Sequence, residues 1–298
     1  MIKTRRAGQY KTVRHPLRMS WGQSFATGSR ELLLRGYQEA MVRPIFEPWG
    51  ELLVDAVAAL PGDSVLDVAC GPGTVTRLAA RRVGPSGKVL GSDLSPGMLA
   101  IAREKGAVPD GAAIEYVEAP AERLRIDDGR FDVVVCQQGL QFFPERPAAL
   151  AEMYRGLRPG GRLGVAVWAA IEQCPPFDAI AAGITEVLGE ELGARYRGGP
   201  WGMPASAELR GLIEGAGFAD VDVRPRTLSV VFGDGPAQLI ATLLGSALAQ
   251  EFLALDADGK RRLEAAITRH AEPITVDGAV RSQLVSNVAT ARRLLEVA

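Results

Sequence analysis

Hydrophobic positions along the chain fall in short runs that alternate with stretches of helical periodicity. The runs predict seven strands, which lie at 65–68, 89–93, 114–118, 131–136, 162–168, 219–231 and 284–291. A mostly apolar run such as 65–68 suits a parallel strand that is buried on both faces. Helical periodicity between the strands predicts connections that cross over the sheet. The pattern indicates an α/β fold with a doubly wound, mostly parallel sheet.

Helical segments outside this alternation extend the predicted domain. We predict a single domain over 31–298, which follows a basic, poorly ordered arm at 1–30. The arm has no acidic residue and no sustained apolar face, so it is expected to be solvated. Helices are predicted before the first strand, and helical insertions near 175–197 and 235–272.

The first predicted strand ends abruptly at the turn Cys70-Gly71-Pro72-Gly73 and passes into a helix. Gly71 and Gly73 allow the positive φ angles and the close backbone approach that a ligand at the end of a strand requires. The helix that follows directs its free N–H groups and the positive end of its dipole to the same place. A nucleotide-like ligand is therefore predicted here.

The spacing of the glycines and acidic residues distinguishes two functions. A dinucleotide-binding turn, G-x-G-x-x-G, would have its third glycine where Thr76 stands. This residue counts against the alternative function, which is that of an NAD-binding oxidoreductase or a non-catalytic nucleotide-binding protein. The stretch resembles instead the first motif of class I S-adenosylmethionine-dependent methyltransferases, in which an acid precedes a G-x-G turn by a few places. Asp67, Gly71 and Gly73 match that motif, and Asp93 ends the second strand in an acid.

The resemblance implies the Rossmann-like methyltransferase fold and S-adenosylmethionine as cofactor. The activity it implies is in-line transfer of the methyl group to a small-molecule acceptor. The implied cofactor-binding residues are Tyr37, Asp67, Ala69, Gly71, Gly73, Asp93, Leu94, Met98, Ala119, Ala121, Glu122 and Gln137. Asp93 would accept hydrogen bonds from both ribose hydroxyls, so an Asp93→Ala change is expected to weaken cofactor binding and to leave stability nearly unchanged. If Asp93 instead caps the helix that begins near Pro96, stability falls and cofactor affinity does not.

The segment before the first strand is predicted to form a lid. In the family that the sequence resembles, the leading helix lies across the cofactor, and Tyr37 would offer its hydroxyl to the methionine end. It is equally consistent that Tyr37 only packs the helix onto the sheet. Pro44 and Pro48 are predicted to divide this helix from a second one at 49–60.

At Pro120 the chain departs from the family pattern. Many relatives have an aspartate there, which accepts a hydrogen bond from the adenine amino group. Proline has no such acceptor, so the resemblance leaves adenine recognition to the backbone N–H of Ala121 or to a neighbouring carboxylate, Glu118 or Glu122.

No catalytic acid or base is identified from the sequence. Ligands of parallel sheets lie beyond the carboxyl ends of the strands, so the loop after the fourth strand should face the transferred methyl group. Candidates for orienting the acceptor are Gln138 and Gln141, and candidates for apolar walls are Phe142 and Trp168. His270 would be a candidate only if the C-terminal helices fold over the pocket.

Composition narrows the partners and the location. Lys and Arg total 34 against 35 for Asp and Glu, and the net charge of -1 offers no attraction to nucleic acids or anionic membranes. The three cysteines are far apart, which suits reduced thiols in the cytoplasm, and no spacing of cysteines or histidines suggests a metal site. No apolar run approaches the roughly 20 residues of a membrane-spanning helix. We expect a cytoplasmic protein without a nucleic-acid or membrane partner.

The insertion at 235–272 has apolar residues near every third or fourth position. They are Leu239, Ile240, Leu243, Leu244, Leu248, Phe252 and Leu255. We expect this apolar face to enclose a small, largely apolar acceptor together with the lid. The alternative is that it is buried in a homodimer, because exposed apolar faces often mark subunit contacts.

Overall fold

A mostly parallel sheet forms the centre of the molecule in a computed structural model that describes residues 38–246 and 248–295. Its strands are β1 (Ser64–Val68), β2 (Lys88–Asp93), β3 (Ala113–Glu118), β4 (Phe131–Gln137), β5 (Leu157–Trp168), β6 (Ala219–Phe232), β7 (Thr275–Val276) and β8 (Ala279–Arg292). The order across the sheet is β3-β2-β1-β4-β5-β8-β6, and the short β7 pairs with β8. Strands β1 to β5 are parallel, whereas β8 is antiparallel to both of its long neighbours. The predicted doubly wound sheet is confirmed, with β7 as an additional strand.

Ten α-helices are found in the described part of the chain. They are α1 (Glu47–Ala56), α2 (Thr74–Val83), α3 (Pro96–Glu104), α4 (Arg146–Gly156), α5 (Pro175–Leu188), α6 (Glu190–Arg197), α7 (Ser206–Gly215), α8 (Pro236–Ala241), α9 (Ala249–Ala254) and α10 (Ala257–Ala271). None of the helices in this part of the chain combines the length and the apolar character that crossing a membrane requires.

Alternating side chains of each strand enter two hydrophobic cores, one on each face of the sheet. In β4, Val133 and Val135 belong to a core that also contains residues of α1, α2 and the helices after β5. Val134 and Cys136 point to the opposite core, which contains residues of α4 and α7. This period of two explains why the strand is apolar at nearly every position: neither face of it meets water.

The order of the strands reverses between β1 and β4. Val65 of β1 pairs with Val89 of β2 on one side and with Val133 of β4 on the other. The chain leaves β1 and β4 on opposite faces of the sheet, so their carboxyl ends open a crevice that is not filled by a connection. This crevice positions the candidate site.

The segment before β1 differs from its prediction. Gln38–Phe46 forms a π-helix that contains Pro44 and continues directly into α1. The predicted division at Pro44 and Pro48 is therefore wrong. Pro48 lies in the first turn of α1, where its fixed φ angle suits the helix. Tyr37 lies outside the described residues.

The last long strand starts earlier than predicted, at Ala279 instead of Leu284. Its first residues pair with the end of β6, where Val280 lies opposite Phe232. Partnership with β6 therefore fixes the start of β8, and no apolar run is needed there. The edge strand β6 contains Pro225, which is tolerated because an edge strand has one side without ladder hydrogen bonds.

Candidate active site

The glycine turn after β1 has the backbone geometry that the sequence predicts. Gly71 and Gly73 have φ angles of +54° and +78°, in the left-handed region. A Cβ atom at Gly73 would also stand 2.5 Å from the hydroxyl oxygen of Tyr116, so this position has no room for a side chain. Gly73 is the N-cap of α2, and the turn therefore places the N-terminus of that helix at the crevice.

Asp93 at the end of β2 fixes this turn. One carboxylate oxygen accepts the N–H of Gly71 at 2.8 Å, and the other accepts the N–H of Ser95 at 2.8 Å. Burial raises the pKa of Asp93 above its usual value, and these backbone donors lower it in part. Each oxygen keeps a further lone pair for a ligand. The N-cap of α3 is Ser95 and not Asp93. The Oγ atom of Ser95 accepts the N–H of Met98 at 3.3 Å.

Asp67 lies behind the turn. Its side chain is 1% exposed, and its Oδ2 accepts the hydroxyl of Thr76 on α2 at 2.6 Å. Burial raises the pKa of Asp67 to about 7, the hydrogen bonds from Thr76 lower it, and the neighbouring charge of Asp93 raises it further. Asp67 and Thr76 thus hold α2 to β1 from beneath the site.

A cavity of about 480 Å³ occupies the crevice. Nine of the twelve predicted cofactor-binding residues line it: Ala69, Gly71, Asp93, Leu94, Met98, Ala119, Ala121, Glu122 and Gln137. Asp67 and Gly73 support the turn without lining the cavity. Residues from the ends of four strands therefore meet here, as their positions in the sequence predict.

One end of the cavity, near Pro120 and Ala121, contains an unused hydrogen-bond acceptor. Oε1 of Glu122 is buried and has no hydrogen-bond partner among the described residues. Glu118, the other acidic neighbour considered from the sequence, is exposed and does not line the cavity.

The other end of the cavity is aromatic. It is lined by Phe46, Phe142, Phe143, Trp168, Phe177, Tyr196 and Trp201. Four of these rings form a connected series, with 6.5 Å between the centroids of Trp168 and Phe177, 5.1 Å between those of Phe177 and Trp201, and 5.4 Å between those of Tyr196 and Trp201. Tyr196 is the only ionisable side chain that the described residues place at this aromatic end, and burial raises its pKa. The described residues that line this end therefore include no carboxylate, imidazole, thiol or amine that could act as a base.

Sequence reasoning identified Phe142 and Trp168 but missed Phe177, Tyr196 and Trp201. These three follow β5 in the helical insertion at 175–197 and just after it. Their position after β5 could have identified them, because segments that follow a parallel strand at its carboxyl end lie next to the ligand site.

The apolar face of 235–272 does not line the cavity. Leu239, Leu243 and Leu248 are at most 3% exposed and lie in the core of the same chain. The cavity is lined instead by Thr242, Gly245 and Ser246 of this insertion. The expectation that the leucines form the wall of the acceptor site is wrong, and the homodimer stays a prediction.

His270 lies outside the cavity lining. It lies on α10, where its Nε2 is 3.0 Å from a carboxylate oxygen of Glu186 on α5, and both side chains are exposed.

Comparison with known proteins decides the family. A family model described as a methyltransferase domain matches residues 65–161. The ubiquinone/menaquinone biosynthesis C-methyltransferase UbiE of Klebsiella pneumoniae is 34% identical over 196 residues, which are 61% of this chain and 77% of the relative. The chain is a class I S-adenosylmethionine-dependent methyltransferase. The resemblance inferred from the glycine turn is thus confirmed.

Solved structures agree with the fold of this methyltransferase. Phosphoethanolamine N-methyltransferase 2 of Haemonchus contortus, in complex with S-adenosyl-L-methionine, is 16% identical with a TM-score of 0.59, over 93% of this chain and 60% of that one. The [4+2]-cyclase SpnF is 19% identical with a TM-score of 0.56, over 94% of this chain and 98% of that one. At such identities the likeness shows the fold alone, so the activity rests on the sequence relatives.

The cavity fits the cofactor of this family. Asp93 has lone pairs for hydroxyl donors, Glu122 has a buried acceptor without a partner, and the glycine turn lets the backbone approach closely. S-Adenosylmethionine is the cofactor of the methyltransferase.

Proposed function

We propose that the methyltransferase acts on a small, uncharged, aromatic acceptor that binds at the aromatic end of the cavity. The observation that carries this proposal is the character of the wall. Asp93 and Glu122 are the only charged side chains among the described residues that line the cavity, and both lie at the cofactor end. Flat rings pack favourably against aromatic side chains, whereas an anionic acceptor would lose its hydration there without a partner among the described residues.

The chain's own residues contribute alignment and exclusion of water. When bound, S-adenosylmethionine supplies a methyl group on a sulfonium, which is already a good leaving group. The aromatic side chains hold an acceptor in one orientation and keep water out, and this accounts for a large part of such a rate enhancement. Because the described residues that line the aromatic end include no base, we propose that the attacking atom of the acceptor is nucleophilic without prior loss of a proton to the enzyme.

The two methyltransferase relatives point to different acceptors. The relative from Klebsiella pneumoniae is a C-methyltransferase of quinone biosynthesis, whereas the one from Haemonchus contortus is a phosphoethanolamine methyltransferase. A phosphate needs basic side chains or free N–H groups. The described residues place no lysine or arginine on the cavity wall, so a ring-containing acceptor is favoured.

The acceptor class is testable with labelled cofactor. The purified enzyme is incubated with a small-molecule cell extract and S-adenosylmethionine that carries a deuterated methyl group, and products are followed by mass spectrometry. We expect enzyme-dependent label in the fraction that partitions into organic solvent. Label that appears only in charged, water-soluble compounds would refute an uncharged acceptor.

We also propose that Glu122 recognises the adenine amino group in place of the aspartate that is absent at Pro120. Wild-type enzyme is expected to bind S-adenosylhomocysteine about tenfold more tightly than S-inosylhomocysteine, in which an oxygen replaces the amino group, since one hydrogen bond to a charged acceptor is lost. In Glu122→Gln the preference is expected to fall or reverse, because the amide donates to that oxygen. Calorimetric titration measures both affinities.

Glu118→Gln provides the matched control for this test. The same change of charge is made four residues away on an exposed side chain, so the preference should stay as in the wild type. Equal preference in Glu122→Gln and in the wild type would assign adenine recognition to the backbone of Ala121.

A cytoplasmic location is proposed as well. Cys70, Cys136 and Cys174 are all buried and free in the structure. Free thiols suit a reducing compartment. Cell fractionation with an antibody against the protein tests this location.

A further inference from the structure

Gln138 has an unusual backbone conformation in the wall of the cavity. It follows β4, has a φ of +53°, is 7% exposed and lines the cavity. Residues other than glycine rarely adopt this left-handed backbone conformation, and asparagine adopts it more readily than glutamine. The strain is held by a hydrogen bond from the N–H of Gln138 to the carbonyl of Ala166 at 2.8 Å. Such strain persists where surrounding structure imposes it, often at functional sites.

A chain of hydrogen bonds fixes the direction of the Gln138 amide. The hydroxyl of Ser286 donates to the carbonyl oxygen of Val167 at 2.7 Å, which uses its single hydrogen. Ser286 must therefore accept from Gln138, whose Nε2 is 3.0 Å away. Oε1 of Gln138 in turn accepts from Nε2 of Gln141 at 3.3 Å. Because the carbonyl of Val167 can only accept, every bond of the chain donates toward it.

This arrangement leaves one donor on Gln138. An amide nitrogen carries two hydrogens, and the bond to Ser286 uses one of them. No hydrogen bond of the described residues uses the other. The amide cannot turn over to present its oxygen, because that would put two acceptors, Oε1 and the Ser286 oxygen, against each other. Gln138 therefore offers a donor of fixed orientation in the wall of the cavity.

A purely structural role explains the chain of bonds poorly. Strands β5 and β8 are already joined by backbone pairing, in which Trp168 lies opposite Ser286. Gln138, Gln141 and Ser286 are at most 7% exposed, and Oε1 of Gln141 is buried without a partner. Apolar side chains in these places would avoid the loss of hydration.

We propose that Gln138 donates a hydrogen bond to an oxygen of the acceptor, so that the enzyme selects ring compounds with a carbonyl or phenolic oxygen. Ser286 and Gln141 are positioning residues that act through Gln138. The inference rests on the proposed function, because it needs an acceptor at the aromatic end of the cavity. It adds to that function a specific polar contact and the residue that makes it.

The experiment compares two probes of nearly the same shape, 1-tetralone and tetralin, of which only the ketone has an oxygen. Binding to enzyme saturated with S-adenosylhomocysteine is measured by calorimetry. Wild-type enzyme is expected to prefer 1-tetralone about fivefold, the value of one ordinary hydrogen bond. Gln138→Met keeps the length of the side chain and removes the donor, so it should bind both probes equally. Ser286→Ala should reduce the preference, because the amide is no longer held.

Ser282→Ala is the matched control, since it makes the same change on the same strand outside the chain of bonds. It should keep the wild-type preference. Affinity for S-adenosylhomocysteine, measured for each variant, reports whether it folds. If Gln138→Met does not fold, the comparison of Ser286→Ala with Ser282→Ala decides.

The outcomes separate this inference from the proposed function. Equal binding of both probes by the wild type, or an unchanged preference in Gln138→Met or Ser286→Ala, would overturn the role of Gln138 and leave the aromatic site intact. Failure of the wild type to bind either probe would overturn the proposed aromatic site as well. A preference that disappears in Gln138→Met and falls in Ser286→Ala supports the inference.

Discussion

Replacing Asp93 by alanine is expected to weaken S-adenosylmethionine binding more than a hundredfold and also to lower the free energy of unfolding by about 2 kcal/mol. The loss of affinity follows if the carboxylate accepts two ribose hydroxyls, since each charge-assisted bond contributes about 1.5–3 kcal/mol. The loss of stability follows from the N–H groups of Gly71 and Ser95, which would lose their acceptor. Calorimetric titration and urea denaturation measure the two effects.

From the sequence, Asp93→Ala was expected to leave stability nearly unchanged. The loss of stability expected here differs because the Asp93 carboxylate accepts two backbone N–H groups. It also differs from the alternative, because the cap of α3 is the side chain of Ser95. Asp93 instead joins the glycine turn to β2. The same two carboxylate oxygens of Asp93 that accept backbone N–H groups would therefore also bind the cofactor.

Asp132→Ala is the matched control for Asp93→Ala. Its Oδ2 accepts the N–H of Ser64 at 2.7 Å, at the opposite end of the sheet from the cavity. We expect a similar loss of stability with unchanged cofactor affinity. A comparable loss of affinity in both variants would mean that Asp93 acts only by stabilising the fold.

Stability of the wild-type enzyme is expected to fall between about pH 4 and pH 7 because of Asp67, and Asp67→Asn should remove this part of the pH dependence. Asp67 titrates near 3.8 in the unfolded chain and at about 7 in the folded protein. Within that window the unfolded chain loses the proton and the folded protein keeps it. The free energy of unfolding then falls by about 1.4 kcal/mol per pH unit, and by roughly 4 kcal/mol over the window.

Asparagine imitates the protonated acid, so the variant should gain stability relative to the wild type as the pH rises from 5 to 7 and stay level above 7. Urea denaturation at several pH values measures the difference. Asp110→Asn, at an exposed residue, controls for the loss of a carboxyl group. If the two variants depend on pH alike, Asp67 is ionised in the folded protein throughout this range.

Local sequence was sufficient for the fold and the cofactor end of the site. Apolar runs of strand length have few alternatives to burial in a parallel sheet, and β1 and β4 were predicted nearly to the residue. Gly71 and Gly73 predict a turn because few other residues adopt their φ angles. Since strand ends meet at one edge of a parallel sheet, the sequence positions of Ala69, Asp93 and Gln137 were enough to bring them together.

Tertiary structure alone decided the aromatic end of the cavity. Leu239 and Leu243 recur with helical periodicity, which predicts that one face of the helix is buried. Periodicity does not show what buries that face. In the structure, these leucines pack in the core of the same chain. Tyr196 and Trp201 are linked to Trp168 through the ring of Phe177, by packing of a helical insertion that the sequence did not connect with the site. In the chain of hydrogen bonds, the bond from Gln138 to Ser286 joins residues that are 148 positions apart in the sequence. A contact between such distant side chains depends on how the strands are ordered in the sheet, and the residue types alone do not encode that order.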